Sequence, residues 1–182
     1  MGGMAFRKVS ERRTYDGSFV DVAVATFEGP DGARFDREIV RHGHAVAVVA
    51  LTEDHQRAVL VRQFRPAIEE LLLELPAGMI DVDGESAEDT ARRELEEEAG
   101  RRVVGSLELL TEYWVAAGLM DEQMTIYLCR TSEPCASRPQ SAEEELMEVE
   151  EVVLDDVPAM IADGRIRDSK TIAGLLLAKA RL

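Results

Sequence analysis

The chain has 182 residues, a length that suits one domain with at most a small accessory piece. Hydrophobic residues make up 46% of it, ample for a core, and the formal net charge is −15. Such a charge argues against nucleic-acid and anionic-membrane surfaces, which need basic patches.

Residues 6–15 read as a first strand, and residues 18–28 and 33–41 as two more around Gly29-Pro30-Asp31-Gly32, a strong turn signal. So short a meander needs a partner surface. Residues 44–51 form a continuous apolar run, as in a strand buried on both faces. A polar turn at 52–57 leads to a strand at 58–64, and 71–75 is a short apolar strand. A glycine loop from Gly78 then opens a helix. Ser86 is its N-cap, Asp89 its capping-box partner and Gly100 its C-cap. Strands follow at 107–115, 124–129 and 149–154, with a Pro-containing acidic loop at 132–145 between the last two. Residues 157–164 read as helical, and Asp168-Ser169-Lys170 precedes a last helix at 171–182. The class is α/β, a mixed sheet packed between helices.

Cys129 and Cys135 are too few for a secreted disulfide scaffold and lack the spacing of a zinc site. Cys129 reads as a small buried hydrophobe in a strand, and Cys135 as a loop residue. No apolar run is long enough for a signal peptide or membrane span, and residues 1–6 lack the Ser or Thr of a myristoylation signal. The expectation is a soluble cytoplasmic protein.

Chemistry concentrates in the helix after Gly78. At roughly 100° per residue, Ala87, Ala91, Leu95 and Ala99 make one apolar stripe. Glu94, Glu97 and Glu98 converge where that stripe meets the core, and Glu96 points away. One reading is a solvated acidic face. The other is a site for Mg²⁺ or Mn²⁺, hard cations that take oxygen ligands and serve phosphate chemistry. Like charges at i,i+3 and i,i+4 destabilise a helix unless a cation compensates, which favours the second reading.

The segment resembles the signature of the Nudix hydrolases, G-x5-E-x7-R-E-U-x-E-E-x-G-U with U aliphatic. Gly78, Glu85, Arg93, Glu94, Leu95, Glu97, Glu98 and Gly100 fill its fixed places. It departs twice: six residues separate Gly78 from Glu85, and the final aliphatic place is Arg101. Val61-Arg62-Gln63-Phe64-Arg65-Pro66, Glu74-Leu75-Pro76-Ala77-Gly78 and Gly118-Leu119-Met120-Asp121-Glu122 are similar to the ADP-ribose pyrophosphatase branch. The branch's marker proline is here Ala117, which leaves the choice of substrate open.

The resemblance implies a Nudix α/β/α sandwich at 44–182, preceded by an antiparallel β segment at 1–43 that either builds a homodimer or covers an edge of its own core. It implies Glu94, Glu98 and the carbonyl of Ala77 as metal ligands, with Glu97 as a further ligand or support. Gly78, Glu85, Arg93 and Gly100 take structural roles, Arg93 pairing with Glu85 or Glu97. The general base falls in the acidic loop, on Glu145 first and on Glu144 or Glu143 after it. Arg65 is the expected phosphate contact and Arg62 serves elsewhere or across a dimer. Trp114 is a candidate for stacking on a base, and Glu122 for supporting the metal site.

The implied activity is Mg²⁺-dependent cleavage of a nucleoside diphosphate derivative, ADP-ribose before other nucleotide sugars. A nucleoside triphosphate pyrophosphatase and a non-catalytic ligand-sensing module are the alternatives. The sensor is disfavoured because the box carboxylates are kept and no basic helix-turn-helix is attached.

Overall fold

The turn at Gly29-Pro30-Asp31-Gly32 sets the start of the fold. The Gly29 amide donates to the Ala33 carbonyl at 2.9 Å, and Gly32 takes a φ of 78°, which glycine adopts without strain. The structure, a computed structural model, describes residues 5–135 and 146–182. Around that turn β2 (Asp21–Glu28) and β3 (Arg34–Arg41) pair antiparallel, and β1 (Arg7–Asp16) lies on the other side of β2. Phe27 and Phe35, directly opposite in register, stack with ring centroids 5.9 Å apart.

The chain divides into two compact units, the first running through His44 and taking in Trp114–Gln123. Backbone and side-chain bonds tie that later segment to β3. Val40 N–H donates to the Leu119 carbonyl at 2.9 Å, and the Asp121 carboxylate accepts the His42 amide at 3.0 Å and Arg41 Nη1 at 2.8 Å.

The second unit, Ala45–Tyr113 with Met124–Leu182, holds a mixed seven-stranded sheet, apart from the end residues His44, Trp114 and Gln123 of three of its strands. Its strands are β4 (His44–Leu51), β5 (Arg57–Arg65), β6 (Glu70–Glu74), β7 (Ala77–Met79), β8 (Val103–Trp114), β9 (Gln123–Thr131) and β10 (Glu148–Val153). The order is β10-β5-β4-β9-β8, with β6 on β5 and β7 on β4. Every residue of β4 from Ala45 to Leu51 is buried, which a strand covered on both faces requires. Val46, Val48 and Ala50 pack toward α1 (Ala87–Ala99) through Ala91, Leu95 and Ala99.

Val49, on the other face of β4, meets α3 (Ser169–Arg181). A Cβ on Gly174 would lie 3.0 Å from Val49 Cγ2 and 2.7 Å from Leu75 Cδ1, so only glycine lets that helix sit so close. A short 3-10 turn (Leu154–Asp156) and α2 (Val157–Ala162) connect β10 to α3. Helices on both faces of a mixed sheet match the expected α/β/α sandwich. Two local differences stand out. β7 is a strand where the sequence predicts a glycine loop from Gly78, and β8 begins at Val103 rather than 107, crossing Gly105 at a φ of 83°. Among the described residues no helix is long and apolar enough to cross a membrane.

Candidate active site

The helix α1 starts where its caps place it. Ser86 Oγ accepts the Asp89 amide at 3.2 Å, and Gly100 ends the helix at a left-handed φ of 58°. With Ala91, Leu95 and Ala99 in the core, the next positions round the helix fall at the sheet's margin. Glu98 lies there, 8% exposed, and its Oε2 accepts the Ala77 amide at 2.9 Å. Gly78 sits one residue on, against the Glu94 carboxyl, and a Cβ there would overlap it. Pairing fixes this approach, since Ala77 and Gly78 of β7 stand opposite Ala47 and Val46 of β4.

Arg93 organises the other carboxylates. Its Nη1 donates to Glu94 Oε1 at 2.6 Å and to Glu97 Oε2 at 3.0 Å. On its other side Nη2 donates to Glu85 Oε2 at 3.1 Å, and Thr90 Oγ1 donates to the same oxygen at 2.9 Å. Burial works against the Arg93 charge, but Glu85, Glu94 and Glu97 outweigh it and hold the guanidinium above its ordinary value. Arg93 holds the Glu85 carboxyl below its own ordinary range. Both carboxylates named for Arg93 in the sequence are thus bonded to it, and Glu94 is a third.

Among the described residues no three acidic, histidine or cysteine side chains close into a metal cage, and Arg93 and the Ala77 amide bond the carboxylates. The donor set nevertheless suits a hard divalent cation. Glu94 and Glu98 both reach the Ala77–Gly78 backbone, and every donor is an oxygen.

Arg65 and Arg62 part company, as strand alternation demands. Arg62 bonds Glu150 of the neighbouring β10. Arg65 forks onto Glu74, Nε to Oε1 at 2.7 Å and Nη2 to Oε2 at 2.6 Å, and Glu98 is near enough to add to the rise in its pKa. Glu74 holds Arg65's charge in place. For Glu74 itself, burial pushes the carboxyl up, but Arg65 and Lys170 prevail and keep it below its ordinary value.

Trp114 and Glu122 belong to the first unit. Trp114 is exposed and borders a cavity of about 510 Å³ there with Arg37, Arg41 and Ala117. The Glu122 carboxylate is 3.9 Å from His42 Nδ1. Glu143, Glu144 and Glu145, the candidates for general base, lie outside the described residues.

Arg101, in the motif's last aliphatic place, is 7% exposed. Its Nη2 pairs with Glu151 at 2.6 Å and its Nη1 bonds the Ser132 carbonyl at 3.0 Å. Thr90, Glu74 and Lys170 take no site role from the sequence alone. The signal available was a lone Glu inside the apolar run 71–75, since a charge in such a place must be paired.

Comparison with known proteins is consistent with this architecture. The family model described as NUDIX domain matches residues 41–175. The chain is 33% identical over 171 residues to an ADP-ribose pyrophosphatase of Bacillus subtilis (strain 168), covering 94% of this chain and 91% of that protein. It is 34% identical to a methanol dehydrogenase activator of Bacillus methanolicus, over 91% of this chain and 88% of that one. A solved structure titled as an ADP compounds hydrolase aligns with a TM-score of 0.85 at 21% identity, over 100% of this chain and 97% of that one, and speaks for the fold. The signature held by Gly78, Glu85, Arg93, Glu94, Glu97 and Glu98 and the match over residues 41–175 place this chain in the Nudix family.

Proposed function

We propose that the protein is a Mg²⁺-dependent pyrophosphohydrolase that splits ADP-ribose into AMP and ribose 5-phosphate. The supporting observation is the meeting of Glu94 and Glu98 at the Ala77–Gly78 backbone, a hard-oxygen donor set backed by Arg93. Glu94, Glu98 and the Ala77 carbonyl would hold the cation, with Glu97 in support. Bound there, Mg²⁺, or Mn²⁺ in its place, supplies positive charge to the phosphates and lowers the pKa of a coordinated water. A cation also meets the electrostatic problem of an anionic substrate approaching a chain of net charge −15.

The chain's own residues do the rest. Arg93 neutralises Glu94 and Glu97 and pins the Glu85 loop to the helix. Arg65, whose Nη1 makes no hydrogen bond among the described residues, offers that edge to a phosphate oxygen. Glu145, and after it Glu144, is the proposed base that takes the proton of the attacking water. Trp114, exposed beside its cavity, is the candidate for stacking on the base, and Glu122 for supporting the metal site. We place the β-rich segment 1–43, which exposes Phe6, Tyr15 and Phe19, at a homodimer contact, with the hydrolase domain at 44–182. The free thiols Cys129 and Cys135 suit a cytoplasmic protein.

ADP-ribose, GDP-mannose, UDP-glucose, diadenosine polyphosphates and dNTPs with Mg²⁺, products resolved by chromatography, test this reading. AMP and ribose 5-phosphate from ADP-ribose are expected. Turnover of another member alone would make Ala117 the mark of a different substrate. Inactivity across the set with Mg²⁺ and Mn²⁺ would point to a ligand sensor.

A further inference from the structure

Glu74 carries a charge into the interior, 1% exposed at the end of β6, and the box helix does not account for it. Its partners come from two directions. Arg65 on β5 forks onto both carboxylate oxygens. Lys170, in the first turn of α3 and itself buried, donates to Oε2. Lys170 is balanced in turn by Asp168, 3.1 Å away. The four charges cancel, so the cluster stands without a counterion.

The cluster is tied to the backbone that leads into the site. Asp168 caps α3 by accepting the Thr171 amide at 2.9 Å and the Thr171 hydroxyl at 2.6 Å. Thr171 Oγ1 accepts the Leu75 amide at 2.8 Å. Residues 74 and 75, just ahead of Ala77, are therefore both bonded to the start of α3.

The last torsion of a glutamate side chain is broad and roughly two-fold, so a fork from Arg65 alone leaves the carboxylate plane free to swing with its guanidinium. A second donor on Oε2, held by a different element, stops that swing. Buried ion pairs are weak stabilisers compared with apolar packing, so stability alone gives little reason for this one.

We propose that Lys170 is a positioning residue for Arg65. Acting through the buried Glu74 carboxylate, it fixes the plane of the guanidinium so that the open Nη1 edge meets a phosphate oxygen of the substrate. The assignment rests on the pyrophosphohydrolase reading above and adds to it a residue remote in sequence from the signature.

The test is a double-mutant cycle in the full-length protein, with ADP-ribose or whichever of the substrates above the wild type hydrolyses. Wild type, K170M, R65Q, K170M/R65Q and K170R are compared for kcat and KM, with Tm from calorimetry. K170M is expected to lower kcat/KM about tenfold or more. In the R65Q background the same change is expected to cost less than about twofold. K170R, which keeps the charge and the donor, is expected to recover most of the loss.

Effects of K170M and R65Q that simply multiply would show that Lys170 does not act through Arg65. An R65Q variant as active as wild type would overturn the proposal as well. If K170M does not fold, E74Q, which keeps the shape of the buried group, replaces it in the cycle with the same outcomes. A wild type without turnover would overturn the functional reading and this proposal together. Turnover in the wild type with multiplying effects would overturn this proposal alone.

Discussion

Replacing Gly78 by alanine probes the closest packing in the proposed site. A Cβ at this position falls on the Glu94 carboxyl and 2.7 Å from Glu94 Cγ. Carbon atoms ordinarily rest about 3.5–4.0 Å apart, so either Glu94 or β7 must retreat by roughly 1 Å. β7 is held by its pairing with β4, at Gly78 opposite Val46, so the side chain is the part that gives. Overpacking of this kind costs about 1–3 kcal/mol, or a fall in Tm of about 2–12 °C in a chain of this size. A reacting group misplaced by 1 Å costs about a hundredfold in rate. G78A should therefore stay folded by calorimetry, lose about a hundredfold in kcat/KM, and need more Mg²⁺ to reach half its own maximal rate. A variant with wild-type turnover and wild-type Mg²⁺ dependence would show that the place of Glu94 against β7 does not matter.

Arg93→Lys keeps the charge but cannot bond Glu85, Glu94 and Glu97 together, so turnover should fall at least tenfold and Tm should drop in a thermal melt. The Arg101–Glu151 pair should respond asymmetrically in denaturant unfolding. E151A leaves a buried guanidinium without its carboxylate and should cost about 3 kcal/mol, whereas R101L, which restores an aliphatic residue, should be nearly neutral. Burial pushes the Cys129 thiol up to about 12, while Cys135 is exposed. A thiol reagent at neutral pH should thus modify Cys135 alone in the native protein and both cysteines after denaturation.

The parts of the fold governed by local chemistry could be read from the sequence. Ser86 and Gly100 bracket α1 because an N-cap oxygen and a left-handed C-cap residue are set by side-chain type. The run from Ala45 to Leu51 is a doubly covered strand because no side chain in it needs water. β7 was not legible. Three residues, Ala77–Met79, carry no period, and only pairing with β4 makes them a strand. Gly105 inside β8 reads as a breaker, yet its left-handed backbone is accommodated within the strand.

In the site, the spacing of Glu94, Glu97 and Glu98 placed them on one side of the helix. It did not reveal that Arg93 would also bond Glu94, or that the Ala77 amide would hold Glu98. The partnership of Glu74 with Lys170 was hidden because they lie 96 positions apart, and a lone acidic residue names no partner. The joining of Trp114–Gln123 to the N-terminal strands was hidden for the same reason, since it rests on bonds from Val40 and His42 that follow no local pattern.

In the proposed function, hydrolysis depends on a divalent cation held by the box glutamates. That dependence is tested most directly by following ADP-ribose turnover by phosphorus NMR in wild type and Glu98→Gln, with a chelator and then with increasing Mg²⁺. The chelator is expected to stop the wild type, Mg²⁺ to restore it with AMP and ribose 5-phosphate as products, and E98Q to stay at least a hundredfold slower at every Mg²⁺ concentration. Turnover that survives the chelator, or an E98Q variant that matches wild type, would contradict that dependence.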